Sequence, residues 1–232
     1  AKIRAELFQL LDIEPIEFGD ALRYAETASA RTGVRPAFML AVLQYESNLG
    51  ANVGRCNRLQ DVKKWRDIMP GPLHYSNYVN NGRSCSGASG PCSYRDDQSA
   101  FVRIMSNLSR SPEGTPLSCP IVGVPGWGGA MGPAQFIPTT WELFKSRISN
   151  TLNIGIPNPW NAEHAITAMA LYLAELGANT QDWTNERTAA CKYNSGSTCY
   201  VNGRAGRGLS YGVNVMSIAE SIQRDKIDPL KF

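Results

Sequence analysis

Glu46 is the residue of this chain whose setting most directly implies chemistry. It lies in Phe38-Met-Leu-Ala-Val-Leu-Gln-Tyr-Glu-Ser-Asn-Leu-Gly50. At helical spacing Met39, Val42, Glu46 and Leu49 share one face, with Phe38 and Tyr45 beside it. That pattern turns a carboxylate inward. A buried, unpaired carboxylate either keeps its proton or finds a cation, because the bare charge is costly away from water. A pKa raised by ~2 units, equivalent to about 2.7 kcal/mol, would make Glu46 a proton donor near neutral pH. The alternative is a core glutamate bridged to Arg31, Arg35 or a helix N-terminus, and periodicity does not separate the two.

Two further segments carry candidate binding groups. Gly126-Trp-Gly-Gly-Ala-Met-Gly-Pro-Ala-Gln-Phe-Ile-Pro138 combines four glycines with Trp127, Met131 and Gln135. Such a loop lets backbone groups approach a ligand with an amide held nearby, although taken alone it reads as an ordinary tight loop. It is no phosphate cradle, since neither Lys-Ser/Thr nor a strand-turn-helix context accompanies the glycines. Lys192-Tyr-Asn-Ser-Gly196, with Tyr200 and Tyr211 downstream, sets aromatic rings beside amides. Sugar clefts use that combination, but a single tyrosine more commonly packs than binds.

Together, Tyr-Glu-Ser at 45–47, Gly-Ala-Met-Gly-x-x-Gln-Phe-x-Pro at 129–138, the helix opened by Asn158-Pro159 and Tyr-Asn-x-Gly at 193–196 resemble the lytic transglycosylases of peptidoglycan, relatives of goose-type lysozyme. The glycine-rich piece is most similar to the membrane-bound lytic transglycosylase B group. The Glu-Ser and Tyr-Asn-x-Gly pieces fit the soluble lytic transglycosylases as well. The resemblance runs from about 34 to 219 and leaves 52–94 unaccounted for. It implies a mainly α, lysozyme-like transglycosylase domain in which Glu46 is the lone catalytic acid and base. Glu46 would protonate the oxygen linking N-acetylmuramic acid to N-acetylglucosamine. It would then deprotonate the muramoyl C6 hydroxyl as that closes on C1, giving a 1,6-anhydro end. No second carboxylate is then needed, unlike the two-carboxylate glycosidases.

The same resemblance assigns sugar contacts to Gln135 and the backbone around Met131, cleft positions to Tyr193 and Asn194, and a hydrogen bond to Glu46 from Tyr211. It implies peptidoglycan glycan strands as partner and no cofactor or metal. One departure stands out, because Gly126 occupies the place where the B-like group commonly has a serine. The alternatives are a muramidase that uses water on the same bond, and a catalytically silent glycan-binding or scaffold module with Glu46 paired to a cation or turned from the cleft.

Other acids have plainer expectations. Asp96 and Asp97 open a predicted helix, where carboxylates suit the positive end. Glu142, Glu163 and Glu175 read as surface residues. A Cys-His peptidase built on Cys191 and His164 has no supporting motif, and Cys199 is the simpler partner for Cys191.

The elements that must position these residues read as helices. Periodicity predicts them over 16–31, 36–49, 96–109, 139–148, 159–176, 184–193 and 209–224, with Gly33, Gly50 and Gly177 as stops and Asn158 as a cap. Segment 1–12 reads as the tail of an upstream helix. Segment 52–94 is turn-rich and apolar-poor, and is expected to be a cysteine-stapled insertion with room for a short hairpin in one 1–232 domain. Six cysteines, none in a C-x-x-C pair, read as disulfides or as reduced core thiols. As disulfides, Cys85 with Cys92 and Cys191 with Cys199 are the local choices, leaving Cys56 with Cys119. The 85–92 loop is a candidate rim of the cleft.

Composition bounds the rest. Hydrophobic residues are 43% of 232 and charged ones 19%, which excludes a disordered chain. A net charge of +3 gives no case for nucleic acid. No apolar run approaches the ~20 residues of a membrane helix. The chain is expected to be a monomer in an extracytoplasmic setting, trimmed of any signal peptide, with an anchor or further domain allowed upstream of Ala1.

Overall fold

The computed structural model describes residues 15–71, 79–80, 83–84, 95–121 and 127–231. Among these it is mainly α. Helix α1 (Phe18–Thr32) turns Ala21, Leu22, Ala25 and Ala28 inward and stops at Gly33, whose φ of 76° lets its N–H reach the Ser29 carbonyl. Helix α2 (Pro36–Ser47) starts with Pro36 in its first turn, where a missing N–H costs nothing. Its residues from Ala37 to Leu43 are all buried, because α1, α6 (Ala162–Glu175) and α8 (Leu209–Ile222) pack around it. The single inward face expected for this helix is therefore corrected: its first two turns have no solvent face.

The predicted span 36–49 also ends early. Asn48 takes the left-handed conformation and its N–H bonds the Gln44 carbonyl. Ser47 then accepts from the Gly50 N–H at 2.8 Å and donates to the Leu43 carbonyl at 3.2 Å.

Segment 52–71 is more integrated than an insertion read as apolar-poor would be. Val53, Trp65, Ile68 and Met69 enter the core, and a short helix α3 (Trp65–Ile68) was not expected. Asn57, fully buried, holds this segment together. Its amide donates to the Pro112 and Thr115 carbonyls at 2.7 and 2.9 Å, and its Oδ1 accepts from the Trp65 N–H at 3.0 Å. Strands β1 (Val79–Asn80) and β2 (Arg83–Ser84) pair antiparallel, so the hairpin anticipated in the insertion is present. Cys85, Cys92 and Gly126 lie outside the described residues, as does segment 1–12.

Helix α4 (Asp97–Asn107) is capped by Asp96 and packs on α5 (Pro138–Leu152). The predicted helix 159–176 is α6, and its cap is Asn161, not Asn158; Asn161 Oδ1 accepts the His164 N–H at 3.1 Å. Asn158 instead accepts the Trp160 N–H, shaping the turn before the helix. Asp182 caps α7 (Trp183–Ser195), which runs to Gly196. Strands β3 (Tyr200–Val201) and β4 (Arg204–Ala205) form a second antiparallel hairpin that no expectation covered. Helix α8 follows, with a wide helical turn (Gln223–Ile227) continuing it.

Disulfides join Cys56 to Cys119 and Cys191 to Cys199, as the cysteine pattern suggested. Cys191 lies on the face of α7 that meets α8, and a Cβ added at Gly212 would come within 2.5 Å of its sulfur. Only glycine at this position lets α8 approach so closely. No helix among the described residues is long and apolar enough to cross a membrane.

Candidate active site

The buried helix α2 delivers Glu46 in its last turn, where the helix begins to leave the core. The carboxyl is half-buried and sits at the negative end of the helix dipole, so its position disfavours a charge twice over. Tyr211, on α8 and only 5% exposed, donates its hydroxyl to Glu46 Oε1 at 2.6 Å. Burial raises the Glu46 pKa to about 7, with the Tyr211 hydrogen bond pulling the other way. The Tyr211 and Tyr193 hydroxyls are pushed well up by burial and by the neighbouring Glu46, so both stay protonated donors.

The arginines that the sequence offered Glu46 do not pair with it, and Arg35 stands at the opposite end of α2, ~16 Å away along the helix axis. Arg35, at the start of α2, makes a bidentate pair with Glu186 on α7, its Nε to Oε1 at 3.0 Å and a terminal nitrogen to Oε2 at 2.6 Å. Glu186 is 1% exposed, so α7 brings the buried ion pair that periodicity had allowed for Glu46. Arg31, the other sequence candidate, is an exposed residue in the last turn of α1. A near-neutral carboxyl beside a tyrosine donor can deliver a proton and take one back.

The glycine-rich loop is shaped from within. Met131 N–H bonds the Phe136 carbonyl at 2.9 Å across a tight turn, with Gln135 at its left-handed position. The Gln135 amide donates to the Gly132 carbonyl at 2.7 Å. Gly132 is obligatory for packing, since its φ is 63° and a Cβ there would sit 1.9 Å from the Pro159 carbonyl oxygen. Gly128 is pressed against the Ser118 carbonyl in the same way, so the described glycines serve contacts within the protein. Ser118 bridges the loop to the segment tied down by Cys119, accepting from the Ala130 N–H at 2.9 Å.

Tyr193, near the end of α7, donates to the Ala134 carbonyl at 2.6 Å and thereby ties α7 to this loop. Its ring packs edge-on against Phe136 and tilts against Tyr172. Glu46, Tyr193 and Tyr211 are thus neighbours, while Met131 and Gln135 belong to the turn that Tyr193 holds. Met131 is buried, whereas Asn194 is exposed at the end of α7.

One neighbour of this group, Asn214, carried no expectation from the sequence. Asn214 lies three residues after Tyr211 on α8 and donates to the Tyr45 hydroxyl at 3.3 Å. Tyr45 in turn meets the Tyr211 ring edge-on, 4.8 Å between centroids. The i, i+3 spacing of Tyr211 and Asn214 was the available signal.

Of the other acids considered, Asp96, Asp97, Glu142 and Glu175 have structural partners. Asp96 caps α4, and the fully buried Asp97 accepts from the Thr139 N–H and hydroxyl at 3.1 and 2.7 Å, joining α4 to the start of α5. Glu142 is a half-buried partner of Lys145 and Arg103, which corrects its reading as a surface residue. Glu163 is likewise half-buried, and Glu175 pairs with Arg147. His164 accepts the Asn158 N–H at Nδ1 and its pKa is lowered by burial. Cys191 is in a disulfide, so a Cys191-His164 nucleophile does not exist.

No protein-family model matches the chain, and no curated protein matches its sequence. Among solved structures it is similar to the Escherichia coli lytic transglycosylase Slt35 in complex with bulgecin A, at 17% identity and a TM-score of 0.40, covering 75% of this chain and 54% of that one. It is similar also to a 36 kDa muramidase/transglycosylase, at 18% identity and a TM-score of 0.40, covering 74% of this chain and 53% of that one. The same Escherichia coli enzyme in complex with calcium gives 17% identity and a TM-score of 0.40. The chain spans about half the length of the structures it resembles.

Proposed function

We propose that this chain is a peptidoglycan lytic transglycosylase with Glu46 as its general acid and then base. The observation that carries the reading is the half-buried Glu46, its carboxyl pKa raised to about 7 by burial, hydrogen-bonded by Tyr211 and paired with no cation among the described residues. Near neutral pH about half of such groups hold a proton. Glu46 gives that proton to the oxygen between N-acetylmuramic acid and N-acetylglucosamine, and the bond from that oxygen to muramoyl C1 breaks. The resulting carboxylate, steadied by the Tyr211 hydroxyl, takes the C6 hydroxyl proton as O6 closes on C1. Atoms balance without water, and the products are an N-acetylglucosamine 4-hydroxyl and a 1,6-anhydro end.

In this reading Tyr211 positions Glu46, and Tyr193 anchors the loop that carries Met131 and Gln135. The Met131 backbone, the Gln135 amide and Asn194 contact the sugars. Gln135 can do so while its own amide is braced on Gly132. The two disulfides fit an oxidising, extracytoplasmic compartment, where peptidoglycan is found. The catalytically silent module calls for Glu46 paired with a cation or turned from the cleft, and the lack of a cation partner among the described residues speaks against the first of these.

The test is mass spectrometry of the fragments released from purified sacculi by the wild-type chain and by Glu46→Gln. The wild type should release anhydro-ended fragments, lighter by one water than hydrolysed ones, and the variant none. Reducing ends would convert the assignment to a muramidase, and release by the variant would remove Glu46 from the reaction.

A further inference from the structure

Tyr45 is an exposed aromatic residue held in place from two sides. Its side chain belongs to a residue that is 43% exposed, yet its hydroxyl accepts from Asn214 at 3.3 Å and its ring lies edge-on to Tyr211 at 4.8 Å. Both partners lie on α8, one turn apart, so two helices fix the ring. Tyr211 is also the donor to Glu46, the next residue in the chain, which sets the exposed ring at the edge of the proton-transfer site. The other exposed aromatics differ. Trp183 is covered by the Arg187 guanidinium, 4.7 Å from its ring, and its indole N–H is bound to Glu220. Tyr200 stands on the β3–β4 hairpin, and Trp127 adjoins a segment outside the described residues.

A mobile exposed tyrosine loses rotamer freedom when a ligand lands on it, whereas a ring already held loses little. Aromatic rings with a polar tip suit ligands that are apolar on one side and hydroxylated at the rim, and a pyranose has that character. We infer that Tyr45 is a sugar-stacking residue of this site. Its preset ring receives the pyranose next to the glycosidic oxygen that Glu46 protonates. The inference rests on the glycan reading of the site and adds to it the residue on which a sugar ring of that glycan stacks. Met39 and Val42, on the same helix, are fully buried and present nothing to a sugar.

The test separates ring stacking from packing. The inactive Glu46→Gln protein is titrated calorimetrically with the N-acetylglucosamine hexamer and with soluble glycan strands from peptidoglycan, alone and combined with Tyr45→Phe or Tyr45→Leu. Phenylalanine keeps the ring and should bind within about twofold of Glu46→Gln alone. Leucine fills similar space without a ring and should weaken binding about tenfold, or ~1.4 kcal/mol. With Glu46 intact, Tyr45→Leu should raise KM by the same factor and leave kcat nearly unchanged. Equal binding by the leucine and phenylalanine variants, or a loss confined to kcat, would overturn the inference while the glycan reading stands. If Glu46→Gln itself binds neither glycan, the glycan reading fails, and this inference with it.

Discussion

At the scale of single residues, the proton affinity of Glu46 is a balance of two opposed effects. Burial drives the pKa up, and the Tyr211 hydroxyl, which bonds best to the charged form, restrains the rise. The sign of a prediction follows directly. Tyr211→Phe removes the restraint, so the Glu46 pKa should move further above 7. A hydrogen bond to a charged group contributes ~1.5–3 kcal/mol, so the shift should be about one to two pH units. In the proposed reaction Glu46 must be protonated at the start, so kcat/KM should fall with rising pH through the Glu46 pKa. In Tyr211→Phe that fall should occur at higher pH, with a lower plateau because the carboxylate is less well held in the second step. An unchanged limb in the pH–rate profile would mean that Tyr211 does not act through Glu46.

At the scale of elements, α2 is the arm that presents the acid, and α7 and α8 fix its far end. The Arg35–Glu186 pair joins the start of α2 to the first turn of α7. Its main energetic weight lies in what would remain if one partner left. Arg35→Met should strand the buried Glu186 and cost about 3–5 kcal/mol in urea unfolding. Adding Glu186→Leu should recover most of that loss, since an apolar pair can replace a buried ion pair of similar volume. If the single variant proved neutral, Glu186 would have to gain water or another partner in it. Sequence periodicity marked α1 and α4 because each has a recognisable inward stripe, whereas α6 is buried on all sides from Ala165 to Ala170. It marked α2 for the wrong reason, as neighbours cover that helix all round through Leu43. The β3–β4 hairpin had a readable sign that was not used: Asn202-Gly203 between short runs, with φ of 51° and 74°. These are the two positive values that a tight two-residue hairpin turn demands.

At the scale of the whole molecule, two covalent ties act over very different spans. Cys56–Cys119 closes a separation of 63 residues, and Cys191–Cys199 closes one of 8. Loop-closure entropy then makes the first worth about 4 kcal/mol and the second ~2.5 kcal/mol. Paired Cys→Ala replacements should show that order in chemical unfolding of the otherwise intact chain. The reverse order would locate the value of the short tie in packing, where Cys191 sits between α7 and Gly212 of α8. The long tie fixes the strip 117–119, against which the glycine-rich loop is hydrogen-bonded at Ser118. Its loss should therefore disturb the loop before it disturbs Glu46.

The sequence by itself determined the helical class, and it pointed to Glu46 and to one choice of cysteine partners among several. These depend on local spacing, on apolar residues recurring each turn, and on a carboxylate set among them. Which charge Glu46 would carry was decided only by tertiary structure. Arg35 was one of the partners left open for Glu46, but it stands at the other end of α2 and is bound to Glu186, 151 residues further along the chain. Tyr211, which bonds Glu46 across a separation of 165, reaches it because α2 and α8 pack together. Partner choice over such distances depends on which helices touch, and no local pattern encodes that.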